Sequence, residues 1–395
     1  MNILQLSPQF PFPPDDGGRI SIANLTREFA RSGSDISLFT LGKSPDAKSL
    51  ALAKPFAQTI HCPHSTKNSL WRIAVSAVFP VPLYIWKHTG VDVTQSLQRL
   101  LRQKKFDIIH ADHSAMMPAA LYAQSIRKIP IGLRLHNVEW LIWKRYADRL
   151  TNPLKRAYIE RQAKLVQRAE AGFYPKADIC FAISETNLHE AKELAPSANI
   201  VLASVGIQPD EWQPDETTQR NYSEAVIATT YNWIHNVEGV NWFVEKVLPL
   251  IHRSVPNAEL RLLGKNPPAH FREWKGVIVE GRVDAVQPYL NKAGVYIAPL
   301  FVGGGIRIKI IEAMAMALPV VATSVAADGI PAGEEQGLFR ADTPEDFAKI
   351  TAELMANPAR ARSAGASARK YVLERFTWSA SANIMLNEYE KIIAK

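Results

Sequence analysis

Short apolar runs alternate with amphipathic ones along most of the chain. MNILQLS at 1–7 has the length and continuity of a buried strand. ISIANLTREFARSG at 20–33 places its apolar residues at helical spacing, with Gly33 just past the end. DISLFTL (35–41), FDIIHAD (106–112), IPIGLRLH (129–136), ADICFAIS (177–184) and NIVLAS (199–204) continue the strand series, with helical stretches between them. Strands that alternate with helices predict a parallel sheet covered on both faces. The polar, turn-rich segment VGIQPDEWQPDETTQRNYS at 205–223 has two prolines and no periodicity and reads as a linker. The pattern then restarts. AVIATTY (225–231) predicts a strand, VEGVNWFVEKVLPLIHRS (237–254) a helix and AELRLLG (258–264) a strand, followed by VIVEG (277–281), VYIAPL (295–300) and PVVAT (319–323). FTWSASANIMLNEYEKIIAK (376–395) closes the chain as an amphipathic helix.

The expected architecture is α/β, with two Rossmann-like, doubly wound domains in tandem. The first spans 1–205, a linker 206–222, the second 223–375, and a terminal helix 376–395. In such sheets ligands bind beyond the carboxyl ends of the strands, so two such faces would meet across a cleft.

Composition narrows the class without choosing a function. Of 395 residues, 47% are hydrophobic and 21% charged, an ordinary globular balance. Cys62 and Cys180 are too few and too far apart for a disulfide framework or a zinc cluster, which fits a reducing, cytoplasmic setting. The N-terminus lacks a basic region and reaches prolines before a signal-length apolar stretch develops. LWRIAVSAVFPVPLYIW at 70–86 carries Arg72 and two prolines and is shorter than the roughly 20 residues of a spanning helix.

The formal charge of +8 suggests an anionic partner. Lys144, Arg145, Arg149, Lys155, Arg156, Arg161, Lys164 and Arg168 stand against only Asp148 and Glu160 between 144 and 168. A solvated helix face accounts for such a run. An anionic membrane surface is the next candidate, since Trp140, Trp143 and the 70–86 segment supply aromatic anchors. Nucleic acid is not expected, because no binding motif accompanies the charge.

Three places carry candidate chemistry. In PLFVGGGIRIKIIEAMAMALPVVAT (299–323), Gly303, Gly304 and Gly305 form the turn between a strand and a helix. Glycines admit a ligand close to the backbone, and the helix start offers unpaired N–H groups and partial positive charge, a combination that suits phosphate. Arg307 and Lys309 add formal charge there, and Glu312 can accept bonds from vicinal ribose hydroxyls. The simpler alternative is a plain glycine turn with Glu312 paired to Lys309 at i, i+3. Gly17 and Gly18 in PPDDGGR follow the first strand, where a generic polar turn is the alternative. His136 ends the fourth predicted strand in RLHNVEW, the position where doubly wound sheets hold their sites. His110 and His113 in IIHADHS present the same choice more weakly.

Taken together these segments resemble the retaining glycosyltransferases of family 4, which have the GT-B fold. The resemblance covers nearly the whole chain: the GG loop, DIIHADHSAMMPAAL, LRLHNVEW, DICFAISE, VGIQP, ELRLLGKNP, YIAPL, the closing FTW helix and, most specifically, IIEAMAMALPVVAT. It implies two domains facing a cleft, with the terminal helix crossing back onto the first. It further implies a nucleoside diphosphate sugar as co-substrate, UDP- or GDP-linked, and neither cofactor nor metal. Glu312 would hold the ribose hydroxyls, the 303–309 amides the diphosphate, and Gly17–Gly18 would close over phosphates and sugar. Arg282, beside Gly281, and Lys265 would flank the base, and His136 would lie near donor sugar and acceptor. The acceptor would be a glycan, a lipid-linked molecule or a protein, met in the cytoplasm or at the inner face of the membrane during cell-envelope polysaccharide or glycoconjugate synthesis.

Two departures from the family stand out. Family 4 has two glutamates spaced E-x7-E, and Gly304 occupies the first position. Thr230 and Asn236 stand where an arginine and a lysine usually address the diphosphate. Arg307 and Lys309 would replace that lost pair, as in a subgroup reading GGGxRxKxxEAMA. The departures keep two other functions open: a non-catalytic sugar-nucleotide or glycan-binding protein, and a GT-B sugar-nucleotide epimerase.

Overall fold

The computed structural model describes residues 1–14, 16–148, 150–302 and 306–394. The chain forms two compact units, Met1–Ser204 with Trp378–Lys395, and Val205–Thr377.

The first unit holds seven parallel strands: β1 Asn2–Ser7, β2 Asp35–Leu41, β3 Gln58–Cys62, β4 Ile108–Asp112, β5 Ile131–Leu135, β6 Ile179–Ala182 and β7 Ile200–Leu202, in the order β3-β2-β1-β4-β5-β6-β7. Every residue of β4, β5 and β6 is buried, as expected for strands covered on both faces. The helices that matter for the site and surface are α1 Gly17–Arg31, α2 Leu70–Val78, α3 Glu139–Ala147 and α4 Pro153–Phe173.

Among the described residues the second unit has six parallel strands: β8 Asn221–Ala228, β9 Glu259–Leu263, β10 Val277–Gly281, β11 Ala293–Ala298, β12 Val320–Ala322 and β13 Leu338–Arg340, in the order β10-β9-β8-β11-β12-β13. Two of its helices concern the site, α5 Ile234–Trp242 and α6 Ile308–Ala315. In each sheet the order runs outward one way for three strands and then reverses, which leaves a switch point between β1 and β4 and another between β8 and β11. The helices on either side of a switch point diverge to opposite faces, so the loops at the strand ends open a crevice there.

Several elements differ from the sequence expectation. β3 and β13 carry no strong apolar run and are added by pairing with β2 and β12. The helix expected over 237–254 is interrupted: α5 ends at Trp242, a π-type turn follows over Phe243–Val247, and Leu248–Ile251 resumes the helix. Pro249 has no N–H for an ordinary helical bond, and Leu248 N–H reaches back to Phe243 O. Residues 205–220 pack with the second unit, where Ile207 N–H donates to Phe376 O (2.8 Å) and Asp215 N–H to Asn291 Oδ1 (3.0 Å).

The terminal helix α7, Trp378–Ile393, belongs to the first unit and packs on α1. It drives the fully buried ring of Tyr389 among Phe29, His110 and Phe181. Gly132 of β5 makes room for this ring, since a Cβ at that position would overlap it. Replacing Gly132 with Ala should therefore destabilise the first unit by about 1–3 kcal/mol. At about 2–4 °C per kcal/mol, calorimetry would register a lowered melting transition. An unchanged transition would mean the ring has space to retreat.

Candidate functional site

In the first unit the switch point is flanked by the loop after β1 and the residues that end β4. Asp16 caps α1 by accepting from Arg19 N–H (2.9 Å), and the helix then opens on Gly17 and Gly18. Two glycines in a first helical turn cost stability. Nothing lies within 4 Å of a Cβ built on Gly17, so packing within the unit does not demand a glycine there. A Cβ on Gly18 would lie 4.0 Å from His113 Nε2, which brings the GG turn beside the histidines that follow β4 and β5.

Those histidines form a pair. His113 and His136 stack with centroids 3.8 Å apart and planes 12° from parallel. His113 adopts φ 71°, a left-handed conformation unusual for a side chain of its size, and its N–H is anchored on Arg134 O (3.1 Å). His136 Nε2 lies 3.2 Å from Asp112 Oδ1, and His110 Nε2 lies 3.4 Å from the same oxygen. Gln5 of β1 donates to Asp112 Oδ2 (2.8 Å) and accepts from Thr26 Oγ1 of α1 (2.8 Å). On the far side, His110 Nδ1 meets the Tyr389 hydroxyl at 2.6 Å. Strand, helix and terminal helix thus converge on one buried carboxylate.

Burial penalises the Asp112 anion, but its interactions with His110 and then His136 outweigh it and hold the carboxyl well below its ordinary range. Burial pushes His136 down to about 3, with His113 acting in the same direction. A neutral imidazole that donates Nε2–H to Asp112 keeps a lone pair on Nδ1, ready to accept a hydrogen bond from a hydroxyl.

A second buried acid supports the neighbourhood. Glu170 of α4 accepts from Ser114 Oγ (2.8 Å) and from the backbone N–H groups of Glu139 (3.3 Å) and Trp140 (3.1 Å), and so caps the start of α3. Burial, then the charge of Glu139, raises its carboxyl to about 7.

In the second unit the loops after β8 and β11 flank the other switch point. Gly264, after β9, takes φ 137° and presses on Thr229, where any Cβ would strike the carbonyl oxygen. Asn236 Nδ2 donates to Thr230 O (2.7 Å), so this amide shapes the loop after β8. Gly303, Gly304 and Gly305 lie outside the described residues. Beyond them Arg307 occupies the N-cap position of α6 with extended backbone. Burial lowers its guanidinium pKa, and the Asp328 carboxylate acts the other way.

Lys309 Nζ lies 2.7 Å from Glu312 Oε2, the i, i+3 pair that the simpler reading expected. The two partners differ in exposure: Lys309 is 46% exposed and Glu312 only 6%. A plain surface pair has no reason to bury its acid. Burial raises the Glu312 carboxyl, and Lys309 pulls it back down. Arg282 is exposed at the end of the edge strand β10, two strands and so about 10 Å from β8. Asn236, Arg307, Lys309 and Glu312 thus lie on the elements that flank the switch point, and Arg282 lies two strands away from β8.

Asp112, Gln5, Glu170 and Tyr389 were not anticipated as site residues. Asp112 closes a buried strand just as His136 follows one, and that signal would have sufficed to find it. Glu170 sits within a basic helix and Tyr389 in the terminal one, and neither carries a local signal. Among the described residues no group of three or more His, Cys, Asp or Glu side chains is arranged to hold a metal ion.

Solved structures share this fold over the whole chain. Sucrose-phosphate synthase from Thermosynechococcus elongatus superposes with a TM-score of 0.72 at 17% identity, covering 100% of this chain and 99% of that one. Anabaena HepE, solved in complex with UDP-glucose, gives 0.66 at 11% identity, covering 99% and 100%. Family models match both halves: the one described as Glycosyltransferase Family 4 covers residues 16–211, and the one described as Glycosyl transferases group 1 covers 224–357. The chain is a glycosyltransferase of the GT-B type. A relative of this glycosyltransferase is TuaC of Bacillus subtilis (strain 168), assigned to teichuronic acid biosynthesis. It is 25% identical over 267 residues, which are 64% of this chain and 63% of TuaC.

The geometry around Asp112 yields a test of whether turnover depends on the fixed imidazole of His136. Asp112→Asn keeps the size and removes the charge that fixes the imidazole. Turnover should fall about 10- to 100-fold, the loss of one charge-assisted hydrogen bond, and the melting temperature should fall as well, since the amide NH2 would face Gln5 or an imidazole that also donates. Wild-type turnover in that variant would mean that the Asp112 charge does not matter to the reaction.

Proposed function

We infer that the protein transfers a sugar from a nucleoside diphosphate sugar, UDP- or GDP-linked, to a glycan, lipid-linked or protein acceptor, with retention of anomeric configuration and without a metal. The observation that carries this reading is the buried Glu312 carboxylate, neutralised by Lys309 beside the β8/β11 switch point. In the proposed complex the ribose hydroxyls donate to Glu312. Lys309 turns from Glu312 to the diphosphate and joins Arg307 and the amides of the 303–305 turn, in place of the cations absent at Thr230 and Asn236. Gly17 and Gly18 close over the phosphates, and His136 Nδ1 accepts from a hydroxyl of the sugar or acceptor.

As the bond between the anomeric carbon and the diphosphate breaks, the acceptor oxygen bonds to that carbon on the same face, and its proton leaves with the diphosphate. The role of Arg307, Lys309 and the helix start is electrostatic, since they meet negative charge as it develops. TuaC's assignment to teichuronic acid biosynthesis and HepE's complex with UDP-glucose favour a uridine donor and a cell-envelope polysaccharide product. A peripheral location at the inner face of the membrane agrees with the basic 144–168 segment.

A melting-temperature panel of nucleotide sugars tests the donor, because a ligand at 100 times its dissociation constant adds about 2.7 kcal/mol of stability. No shift with any member would overturn the donor assignment. For a donor that binds, the product distinguishes the readings. A glycosylated acceptor with the donor's anomeric configuration supports retaining transfer. An inverted product, an isomerised donor, or binding without turnover opposes it.

Lys309→Met tests the exchange of partners. It removes a phosphate contact worth about 1.5–3 kcal/mol and leaves the Glu312 carboxyl raised further by burial. A raised carboxyl is protonated, and so less able to accept from ribose, as pH falls. Calorimetry should therefore find weaker nucleotide binding in the variant, with the larger deficit at the lower pH. Equal affinity in wild type and variant at every pH would refute the exchange.

A further inference from the structure

One surface of the first unit is built against the usual rule for a helix in water. In α2 the single serine, Ser76, is buried with its hydroxyl 2.7 Å from Tyr158 Oη, while Leu70 is 86% exposed, Val78 74% and Trp71 57%, as is Phe79 just past the helix end. A water-facing helix would show the opposite distribution. The segment is not a loose flap. Arg161 of α4 donates to the carbonyls of Ser76, Ala77 (2.9 Å) and Val78 (3.1 Å) at the end of α2. Gln162 donates to Ser76 O (3.0 Å) and accepts from Leu83 N–H (2.8 Å). Trp71 rests edge-on against Trp86 at 5.3 Å. The apolar side chains are held outward by the same contacts that bury the serine.

The helix that carries Arg161 is also the basic one. Leu154, 83% exposed, lies one turn before Tyr158 on the same face of α4, and it is followed by exposed Lys155 and Arg156. Lys164 and Arg168 are exposed further along α4, and Lys144 on α3, which packs against α4. Segments that lie more than 70 residues apart in sequence thus meet in one structure, with apolar side chains outward and cations beside them.

We propose that α2 and the adjoining part of α4 form a docking surface for an anionic phospholipid bilayer. Leu70, Trp71, Val78, Phe79 and Leu154 enter the interfacial layer, and the cations of α3 and α4 meet the head groups. Charge decides the occupant. A second copy docked through this face would set basic surface against basic surface, which costs association, whereas an anionic bilayer complements both the apolar side chains and the charge. The proposal does not depend on the donor or on the stereochemistry of transfer.

Flotation of the full chain with vesicles of phosphatidylcholine, alone or mixed with phosphatidylglycerol, tests it. Wild type should float with the anionic vesicles and not with the neutral ones. The combined variant Leu70→Ser, Trp71→Ser, Val78→Ser and Phe79→Ser removes the outward apolar side chains. It should partition at least about tenfold less, and because Trp71→Ser also removes the contact with Trp86, the triple variant Leu70→Ser, Val78→Ser and Phe79→Ser, which keeps that contact, should show the same loss while melting like wild type. Lys155→Glu with Lys164→Glu should lower binding on an intact α2. Failure of wild type to float at low salt would overturn the proposal. So would flotation that the serine variant leaves unchanged, which would reduce the surface to charge adsorption. Self-association in sedimentation that the serine variant abolishes, without flotation of wild type, would assign the face to a second copy instead.

Discussion

Everything at the candidate site follows from one constraint on parallel sheets. Crossovers between parallel strands are right-handed, so a sheet that grows first in one direction and then in the other must leave two neighbouring strands whose following helices lie on opposite faces. Both units meet that constraint with the same order, which places β1 beside β4 and β8 beside β11. The GG turn, Asp112 and the histidines flank the first position, and Asn236, Arg307, Lys309 and Glu312 the second. The residues differ, but the topology that assembles them is the same.

What the two positions share chemically is a buried carboxylate that must be neutralised. An isolated buried charge costs several kcal/mol, and the sequence meets this differently in each unit. Asp112 lies among Gln5, His110 and His136, a set whose geometry is fixed by β1, β4 and the terminal helix. Such an acid is a stable anchor, and its effect is to set the tautomer of His136. Glu312 depends chiefly on Lys309, a flexible and half-exposed partner, which makes it the acid whose surroundings a ligand can change. The contrast suits one rigid half and one responsive half.

The sheets were largely legible because their central strands are continuous apolar runs, and the helix–strand alternation excluded antiparallel designs. β3 and β13 escaped because QTIHC and LFR are edge strands that owe their form to a neighbour rather than to their own pattern. His136 was singled out from its strand-end position, Glu312 from its place in the helix after the glycine turn, and both from family resemblance. Tyr389 and His110 meet across 279 residues, and no local pattern encodes such a contact. The same limit applies to Arg161. In sequence it is one cation in a basic run, and only the folded chain shows it fastening α2 with its apolar side chains outward. The i, i+3 pairing of Lys309 with Glu312 was readable, but the burial of its acid was not.

The proposed transfer requires both His136 of the first unit and Glu312 of the second. The direct measurement is acceptor-dependent release of nucleoside diphosphate by His136→Ala and by Glu312→Ala, each at saturating and at limiting donor. Both variants should lose turnover. Glu312→Ala should be partly recovered by excess donor, and His136→Ala should not. Wild-type rates in either variant, with the fold intact, would contradict that requirement.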